Sequence, residues 1–201
     1  MARGVNPFRR ALLLLLLFLG AFPTLRGESP LRIGVGTALG FHSNSLYRSL
    51  YGRNSFGWRL SLGASPKEGL EVGVIGGRHT DHGLRSFSRE NLSLRVDSYG
   101  FYLRVEPLSL LMPGYLFKLS PYIQVNPLRH RYREEVDHGR ATSGSFWKVG
   151  GGLGLLVPLG SRGRLGTGLR WDKWETPTPL SPSGSVDIAP LAWELILSFS
   201  L

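Results

Sequence analysis

Histidine, serine and acidic side chains are the groups of this chain that could support catalysis or metal binding. The stretch HTDH contains His79, Asp81 and His82, which offer two imidazoles and a carboxylate as ligands. The stretch FHSNS places His42 directly before Ser43, so that a base lies beside a nucleophile. Polar residues of these types are equally typical of solvated turns. We therefore predict no catalytic residue, no metal site and no cofactor.

The absence of cysteine narrows the chemistry further. Without a thiol, the chain has no disulfide, no thiolate metal ligand, no cysteine nucleophile and no lipid-modified N-terminal cysteine. The 201 residues suffice for one domain with its own core.

The N-terminal stretch MARGVNPFRRALLLLLLFLGAFPTLRGES has the pattern of a secretory signal. Arginines precede an apolar run from Ala11 to Phe22, which is shorter than the roughly 20 apolar residues of a membrane-spanning helix. An uncleaved anchor is the alternative. We predict a signal peptide at residues 1–27 and one domain at residues 28–201. Removal of the signal peptide takes away four arginines and lowers the formal charge of the chain from +10 to +6. This moderate charge leads us to predict no nucleic-acid partner.

The elements that carry these residues show alternation of apolar and polar positions. In the final stretch LAWELILSFSL, a period of two marks a strand with one apolar and one polar face, and Glu194 lies on the polar face. The same period recurs at residues 31–41, 56–64, 70–74, 92–105, 115–126, 147–157 and 164–171, and no segment has a convincing helical period. The apolar positions change from even-numbered residues up to Val96 to odd-numbered residues from Tyr99 onward. We therefore predict a β-bulge near Asp97 or Ser98.

The connections between these strands alternate in length. Long polar connections, among them HTDHGLRSFSREN and PLRHRYREEVDHGRATSGS, follow the odd-numbered strands, whereas the other connections are short. We predict an all-β fold, an eight-stranded antiparallel up-and-down transmembrane β-barrel. Closure is required because each unpaired amide of an open sheet edge costs several kcal/mol in hydrocarbon.

The chain resembles the small eight-stranded outer-membrane barrels of the outer-membrane protein A and X type, over residues 30–201. The last strand is similar to the C-terminal signal that the barrel assembly machinery reads, although Leu201 stands where an aromatic residue is most usual. The resemblance implies a location in the bacterial outer membrane. It also implies a monomer whose partners are outer-membrane lipids, lipopolysaccharide and the barrel assembly machinery.

Outward aromatic residues are predicted to form two girdles at the membrane interfaces. With both chain termini in the periplasm, the outer girdle comprises Phe41, Phe56, Trp58, Trp147 and Trp171, and the inner girdle comprises Tyr115, Phe117 and Phe199. A soluble β-barrel, the alternative, has no reason to sort its aromatic residues in this way.

The interior of an eight-stranded barrel is just wide enough for side chains to fill. The alternating positions that face the interior include eight charged residues. In the periplasmic half they are Arg32, Glu71, Arg104 and Lys118, and from the middle upward they are Arg59, Lys148, Arg170 and Glu194. An unpaired buried ion costs several kcal/mol, so we predict ion-pair clusters around both glutamates and a plugged lumen. Inward glycines are expected to make room for the long arginine and lysine side chains.

Enzymes that modify lipid A are the main functional alternative. The lipid A 3-O-deacylase barrels carry an H-x-S pair near the outer end of strand seven, where this chain has Asp172 and Trp174. Without that imidazole, a serine lacks its general base. The palmitoyltransferase barrels use His, Asp and Ser near the outer loops, and here only a scattered set of His42, Asp81 and Ser43 is available.

Arginine-rich loops are predicted to face the lipopolysaccharide layer, where arginine suits phosphate recognition by paired hydrogen bonds. These loops contain Arg48, Arg53, Arg85, Arg89, Arg129, His130, Arg131 and Arg133. We therefore predict an integral outer-membrane protein without catalysis, serving a structural or surface-interaction role. The alternatives are a lipid A acyl hydrolase or acyltransferase and, second, a small channel.

Overall fold

The computed structural model describes residues 31–84, 91–113, 118–136, 140–171, 174–176, 186–188 and 191–201. The predicted signal peptide at residues 1–27 and the girdle residues Tyr115 and Phe117 lie outside the described residues. The elements are, in chain order, β1 (Leu31–Phe41), α1 (Ser45–Tyr51), β2 (Asn54–Lys67), β3 (Leu70–Leu84), β4 (Asn91–Val105), α2 (Pro107–Leu111), β5 (Ser120–Val136), β6 (Arg140–Leu159), β7 (Gly163–Trp171), β8 (Trp174–Thr176), β9 (Val186–Ile188) and β10 (Leu191–Ser200).

Eight of these strands close into a barrel. The order around the barrel is β1-β10-β7-β6-β5-β4-β3-β2, and β8 with β9 forms a separate two-stranded sheet. Every neighbouring pair is antiparallel, and β10 closes the ring on β1, from Arg32 opposite Ser200 to Phe41 opposite Leu191. The predicted eight-stranded up-and-down barrel is confirmed.

The barrel has two unlike ends. At the end that carries Leu31 and Leu201, which we call the turn end, short turns join β2 to β3 and β6 to β7. Gly69 and Gly160 lie in these turns, with φ angles of 76° and 70°. Residues that carry a Cβ rarely adopt this backbone conformation. At the opposite end, the loop end, α1 lies between β1 and β2.

The polarity of the outward and inward faces reverses from the turn end to the loop end of the barrel. Toward the turn end, the outward face is apolar and exposed, as at Val35, Leu103 and Ile123, while the lumen is lined by polar and charged side chains. Toward the loop end of β4, the inward residues Leu92, Leu94 and Val96 are buried and apolar, while the outward face is charged. The first zone is suited to contact with lipid outside and polar groups inside, and the second to contact with water outside and an apolar core inside.

The predicted bulge near Asp97 or Ser98 is wrong, and this reversal of polarity explains the pattern that suggested it. β3 and β4 keep one register from Leu70 opposite Val105 to Leu84 opposite Asn91. The change of apolar parity along β4 therefore reflects a change of environment on both faces, and no extra residue enters the strand.

The same reversal makes the strands longer than predicted. β3 continues to Leu84, β5 to Val136, and β6 begins at Arg140, all within stretches predicted to be long loops. Alternation continues through these stretches, but the outward positions are now charged. A search for apolar outward residues misses strand segments that stand above the lipid.

Two short helices were also missed by the sequence analysis. In α1, the Asn44 side chain accepts a hydrogen bond of 2.9 Å from the Tyr47 amide, which caps the helix N-terminus. Tyr47 and Tyr51 lie four residues apart on one helix face and form the loop-end core with Leu92, Leu94, Val96 and Tyr132. With seven residues, α1 is too short to show a helical period and depends on this packing. No helix among the described residues is long and apolar enough to cross a membrane.

Replacing Leu195 with Arg tests the outward apolar zone. Leu195 lies in the middle of β10, opposite Thr37 and Thr167, and its side chain points outward. An arginine at the bilayer midplane costs about 2–4 kcal/mol, so Leu195→Arg is expected to reduce the yield and stability of folding into lipid vesicles. Urea unfolding and the mobility shift of unboiled protein on gels measure both quantities.

Ser93→Arg is the matched control because Ser93 is an outward position at the loop end, opposite Glu135. This variant is expected to fold like the wild type. If Leu195→Arg inserts as well as Ser93→Arg does, the outward zone around β10 does not face lipid.

Candidate functional site

The turn-end half of the lumen contains an ion-pair cluster around Glu71. Its carboxylate lies 3.3 Å from an Arg32 nitrogen and 3.4 Å from an Arg104 nitrogen, and it accepts a hydrogen bond from the Tyr102 hydroxyl. Arg104 also donates a 3.0 Å hydrogen bond to the Gln124 side chain. All three charged side chains are buried. The two arginines therefore neutralise a carboxylate that neither lipid nor bulk water could stabilise.

Glu106 is a second buried carboxylate in this half, and it was not among the predicted lumen residues. Arg164 lies 2.7 Å from its carboxylate, and Arg32 lies 4.0 Å from the same oxygen. The alternation of inward and outward positions was the available signal, since Glu106 continues the inward positions Tyr102 and Arg104 one residue beyond the end of β4. It was assigned to a short connection instead.

The middle of the lumen contains the second cluster, around Glu194. Arg59 from β2 lies 2.8 Å and Arg170 from β7 lies 3.0 Å from one Glu194 carboxylate oxygen. Glu194 is therefore a buried acid on a strand whose other face is apolar. Its two arginine partners come from strands that are not adjacent to each other.

Two of the predicted lumen cations lie elsewhere. Lys118 is exposed because β5 begins at Ser120, so Lys118 precedes the barrel wall. Lys148 is exposed although it has inward parity, because β7 ends at Trp171 opposite Gly151, and β6 continues beyond it without that neighbour. Placing both lysines in the lumen network was wrong.

The inward glycines accommodate tyrosine rings rather than lysine side chains. A Cβ on Gly154 would lie 2.7 Å from Tyr122 Cε1, and one on Gly168 would lie 2.6 Å from the Tyr122 hydroxyl. The guanidinium of Arg104 lies over the Tyr102 and Tyr122 rings, 5.5 and 5.1 Å from their centres. Small residues on the wall thus let two aromatic rings enter the lumen and close around Arg104.

The described girdle residues point outward and are exposed. They are Phe41, Phe56, Trp58, Trp147, Trp171 and Phe199. On the ladder, Trp58 lies opposite Arg78, and Trp147 lies opposite Arg129. The tryptophans at the loop end therefore stand where the outward face changes from apolar to charged, while Phe199 lies near the turn end.

Beneath α1, the loop end encloses a cluster of His42, Ser55, His79, Asp81 and Tyr47, which we call the loop-end polar cluster. His42 Nε2 lies 2.8 Å from Ser55 Oγ and 4.0 Å from Asp81 Oδ2. His79 Nε2 lies 2.6 Å from the same Asp81 oxygen, which also accepts a hydrogen bond from the Tyr47 hydroxyl. The cluster thus joins the residue that follows β1 with α1, β2 and β3.

Burial determines the protonation state of two members of this cluster. Burial lowers the pKa of His42 to about 4, with the nearby Asp81 carboxylate opposing the shift. Burial, together with Asp81, raises the pKa of Tyr47 well above its ordinary value. At neutral pH, the His42 imidazole is therefore uncharged and the Tyr47 hydroxyl keeps its proton.

The structure brings together part of the set of His42, Asp81 and Ser43, which are scattered along the sequence. His42 and Asp81 are neighbours, but Ser55 takes the place expected for Ser43, which is exposed. His82 has outward parity on β3 and is exposed. Sequence separation concealed this grouping, because β1, β2 and β3 meet only after the barrel forms.

The geometry of the loop-end polar cluster does not match a hydrolytic relay. In such a relay, the serine and the acid bond to opposite nitrogens of the imidazole. Here Ser55 and Asp81 both lie on the Nε2 side of His42, and Nδ1 has no hydrogen-bond partner among the described residues. Ser55 is also buried inside the barrel.

A charged surface surrounds β3, β4 and β5 on the outward side of the loop end. We call it the basic belt, and it consists of Arg78, Arg95, Arg129, Arg131 and Arg133 with Asp97 and Glu135. Asp97 lies 2.6 Å from Arg78 and 3.1 Å from Arg95, and Glu135 lies 2.6 Å from Arg133. The ladder places Arg129 opposite Tyr99 and Arg131 opposite Asp97.

Taken together, the closed ring, the outward apolar zone and the polar lumen define a class. The chain is a transmembrane β-barrel of the bacterial outer-membrane type. No family model and no curated protein matches the chain.

Several solved structures share this fold. Neisserial surface protein A is 14 % identical, with a TM-score of 0.60 over 88 % of this chain and 100 % of that chain. OprG from Pseudomonas aeruginosa is 10 % identical, with a TM-score of 0.61 over 87 % of this chain and 97 % of that chain. A third structure is that of Ail, the attachment invasion locus protein of Yersinia pestis, in complex with the heparin analogue sucrose octasulfate. Ail is 14 % identical, with a TM-score of 0.53 over 87 % of this chain and 100 % of that chain. At these identities, the similarity is one of fold.

Replacing Glu71 with Gln tests the turn-end cluster. The change keeps the shape of the side chain but leaves Arg32 and Arg104 without their shared carboxylate. Removal of one partner from a buried ion pair costs about 3–5 kcal/mol, so the free energy of unfolding is expected to fall by that amount. Urea unfolding in lipid vesicles measures it.

Glu135→Gln removes the same charge from the exposed pair with Arg133 and is the matched control. It is expected to cost less than about 1 kcal/mol. Equal losses for both variants would contradict a role for the lumen cluster in holding the barrel together.

Proposed function

We propose that this protein is a non-catalytic outer-membrane barrel with a surface-interaction role, in which the basic belt binds phosphate groups of lipopolysaccharide. The belt carries the proposal because it places five arginines and only two acidic residues on the outward face. Recognition of β10 by the barrel assembly machinery and a monomeric state belong to the same proposal.

The height of the belt supports this partner. Tryptophan prefers the membrane interface, and Trp58 and Trp147 lie opposite Arg78 and Arg129 on the ladder. The arginines therefore begin where the interface begins. With the loop end outside the cell, this is the level at which lipid A presents its phosphates.

The charge distribution within the belt leaves cations for an external anion. Arg78 and Arg95 share Asp97, and Arg133 pairs with Glu135. Arg129 donates a 3.2 Å hydrogen bond to the Ser145 hydroxyl, and Arg131 has no acidic partner within 4.0 Å among the described residues. Arginine binds phosphate through parallel N–H donors, which makes these two side chains the best candidates for contact.

A barrel of similar fold in complex with an anionic ligand supports the proposal that the basic belt binds anions. Ail is described in complex with sucrose octasulfate, a heparin analogue. Sulfate and phosphate groups both present negatively charged oxygens that accept hydrogen bonds from arginine. The basic belt offers the matching donors in this chain.

A double variant tests phosphate binding. Arg129→Gln with Arg131→Gln removes two positive charges from the belt, and the affinity for lipopolysaccharide is expected to fall about tenfold or more, since hydrogen bonds to charged groups contribute about 1.5–3 kcal/mol each. Binding of purified protein to lipopolysaccharide and to its dephosphorylated form, at several salt concentrations, measures the effect. The wild type should prefer the phosphorylated form, and the variant should lose that preference.

Arg48→Gln with Arg53→Gln removes the same charge from the exposed connection between β1 and β2 and is the control. It is expected to retain the preference for phosphorylated lipopolysaccharide. If both double variants lose affinity equally, net charge alone is responsible and the belt is not a binding site.

The second part of the proposal is a sealed lumen. The clusters around Glu71 and Glu194 place paired charges and tyrosine rings in the interior, which supports this part of the proposal. Purified protein in planar bilayers is expected to show no steady conductance. Glu194→Ala removes the carboxylate that Arg59 and Arg170 share, so we expect either a loss of stability or intermittent anion-selective currents. A stable open pore in the wild type would replace this proposal with the channel alternative.

A further inference from the structure

Asp81 is a buried carboxylate whose charge is balanced differently from those of Glu71, Glu106 and Glu194. Glu71, Glu106 and Glu194 each lie within ion-pair distance of two arginines. Among the described residues, no arginine or lysine lies within 4.0 Å of Asp81, and its neighbours are His42, His79 and Tyr47. A buried charge requires a partner, either an opposite charge or a metal ion.

The donor atoms around Asp81 are grouped closely enough to share one ion. One ligand atom each from His42, His79 and Asp81 lies within 4.8 Å of the other two. Asp81 Oδ2 lies 2.6 Å from His79 Nε2 and 4.0 Å from His42 Nε2. They bracket the ligand-to-ligand spacing of about 3.3 Å that metal bonds of about 2.0 Å require in a tetrahedral centre.

We propose that His42, His79 and Asp81 form a binding site for a divalent transition-metal ion, with zinc as the best match, at the loop end of the barrel. Two imidazole nitrogens and one carboxylate oxygen are the donor set that zinc accepts, with a water molecule as the fourth ligand. Calcium and magnesium prefer sites built of oxygen donors and fit this set poorly.

The surroundings of the ligands allow the small movement that binding requires. Among the described residues, the His42 ring makes one hydrogen bond, between Nε2 and the Ser55 hydroxyl, and its buried Nδ1 has no partner. Turning this ring toward Asp81 therefore breaks no second hydrogen bond. A cavity of about 50 Å³, lined by His79 and Ser55, adjoins the site and has room for a water molecule.

The location of the site gives the ion a structural consequence. His42 follows β1, His79 and Asp81 belong to β3, and Tyr47 of α1 donates a hydrogen bond to Asp81. A bound ion would connect these elements at the mouth of the barrel. Because an ion that binds only the folded protein stabilises it by mass action, zinc is expected to raise the unfolding temperature of the loop end.

The test uses untagged full-length barrel, folded in detergent and stripped of metal with a chelator. Calorimetric titration with zinc chloride is expected to show one ion per protein. Cobalt(II) is expected to produce the strong visible absorption of a tetrahedral centre. His42→Ala and His79→Gln should each weaken zinc binding about tenfold or more, since even changes outside the ligand set commonly cost 10–100-fold.

His82→Ala is the matched control, because His82 lies on the same strand next to Asp81 but points outward. It should leave zinc affinity and the cobalt spectrum unchanged. The mobility shift of unboiled protein verifies that every variant folds, and His79→Gln keeps a polar side chain if His42→Ala folds poorly.

Three results would overturn the proposal. The first is the absence of zinc binding in folded wild type, which would leave a hydrogen-bonded pair of His79 with Asp81. The second is binding that persists when His42 and His79 are both replaced. The third is binding that is lost in His82→Ala, which would place the ion on the outer surface.

Discussion

Ten residue pairs join β10 to β1, and this ladder removes the sheet edge that hydrocarbon cannot solvate. Closure at eight strands also sets the width of the interior, which is just large enough for side chains to fill. Every charged group that enters this space must therefore meet a partner inside it. Glu71 and Glu194 each meet one arginine from an adjacent strand and one from the strand beyond their other neighbour, because the narrow ring curves these strands around a common interior. The arrangement of the lumen is thus a consequence of closure.

A second consequence is that each strand passes through two environments. Along β4, the outward side chains change from Leu103 and Phe101 to Asp97 and Arg95, while the inward ones change from Arg104 to Val96 and Leu94. In the lipid zone, the chain exposes apolar groups and hides polar ones, and above it the usual order of a water-soluble protein returns. The loop-end core around Tyr47 and Tyr51 is the product of this second zone. The basic belt is its outer counterpart, so the two features have one cause.

The acids of the interior illustrate how local surroundings assign different roles to the same group. Glu71 and Glu194 are neutralised by arginines and hold the walls together. Asp81 lies instead among two imidazoles and a tyrosine hydroxyl, beneath α1. The first arrangement suits a seal, because arginines within the lumen neutralise each carboxylate. The second leaves nitrogen and oxygen donors around one negative charge, which is the chemistry of a cation site.

Alternation by itself determined the strand number, the closing strand and the inward direction of Glu71, Arg104 and Glu194, because side-chain direction in a strand is a local property of the backbone. It failed where the solvent outside the strand changed, since the polarity of each face depends on what that face touches. The segment from Leu128 to Glu134 alternates regularly, yet its charged outward residues were interpreted as a loop.

Only the tertiary structure decided which inward groups meet. The exposure of Lys148 follows from the unequal lengths of β6 and β7, and the pairing of Arg164 with Glu106 depends on how far each strand reaches at the turn end. The approach of His42 to Asp81 requires three strands and a seven-residue helix to be in place together. Such contacts depend on strand offset around a closed ring and on packing between distant segments. Neither quantity is encoded in the local period of the chain.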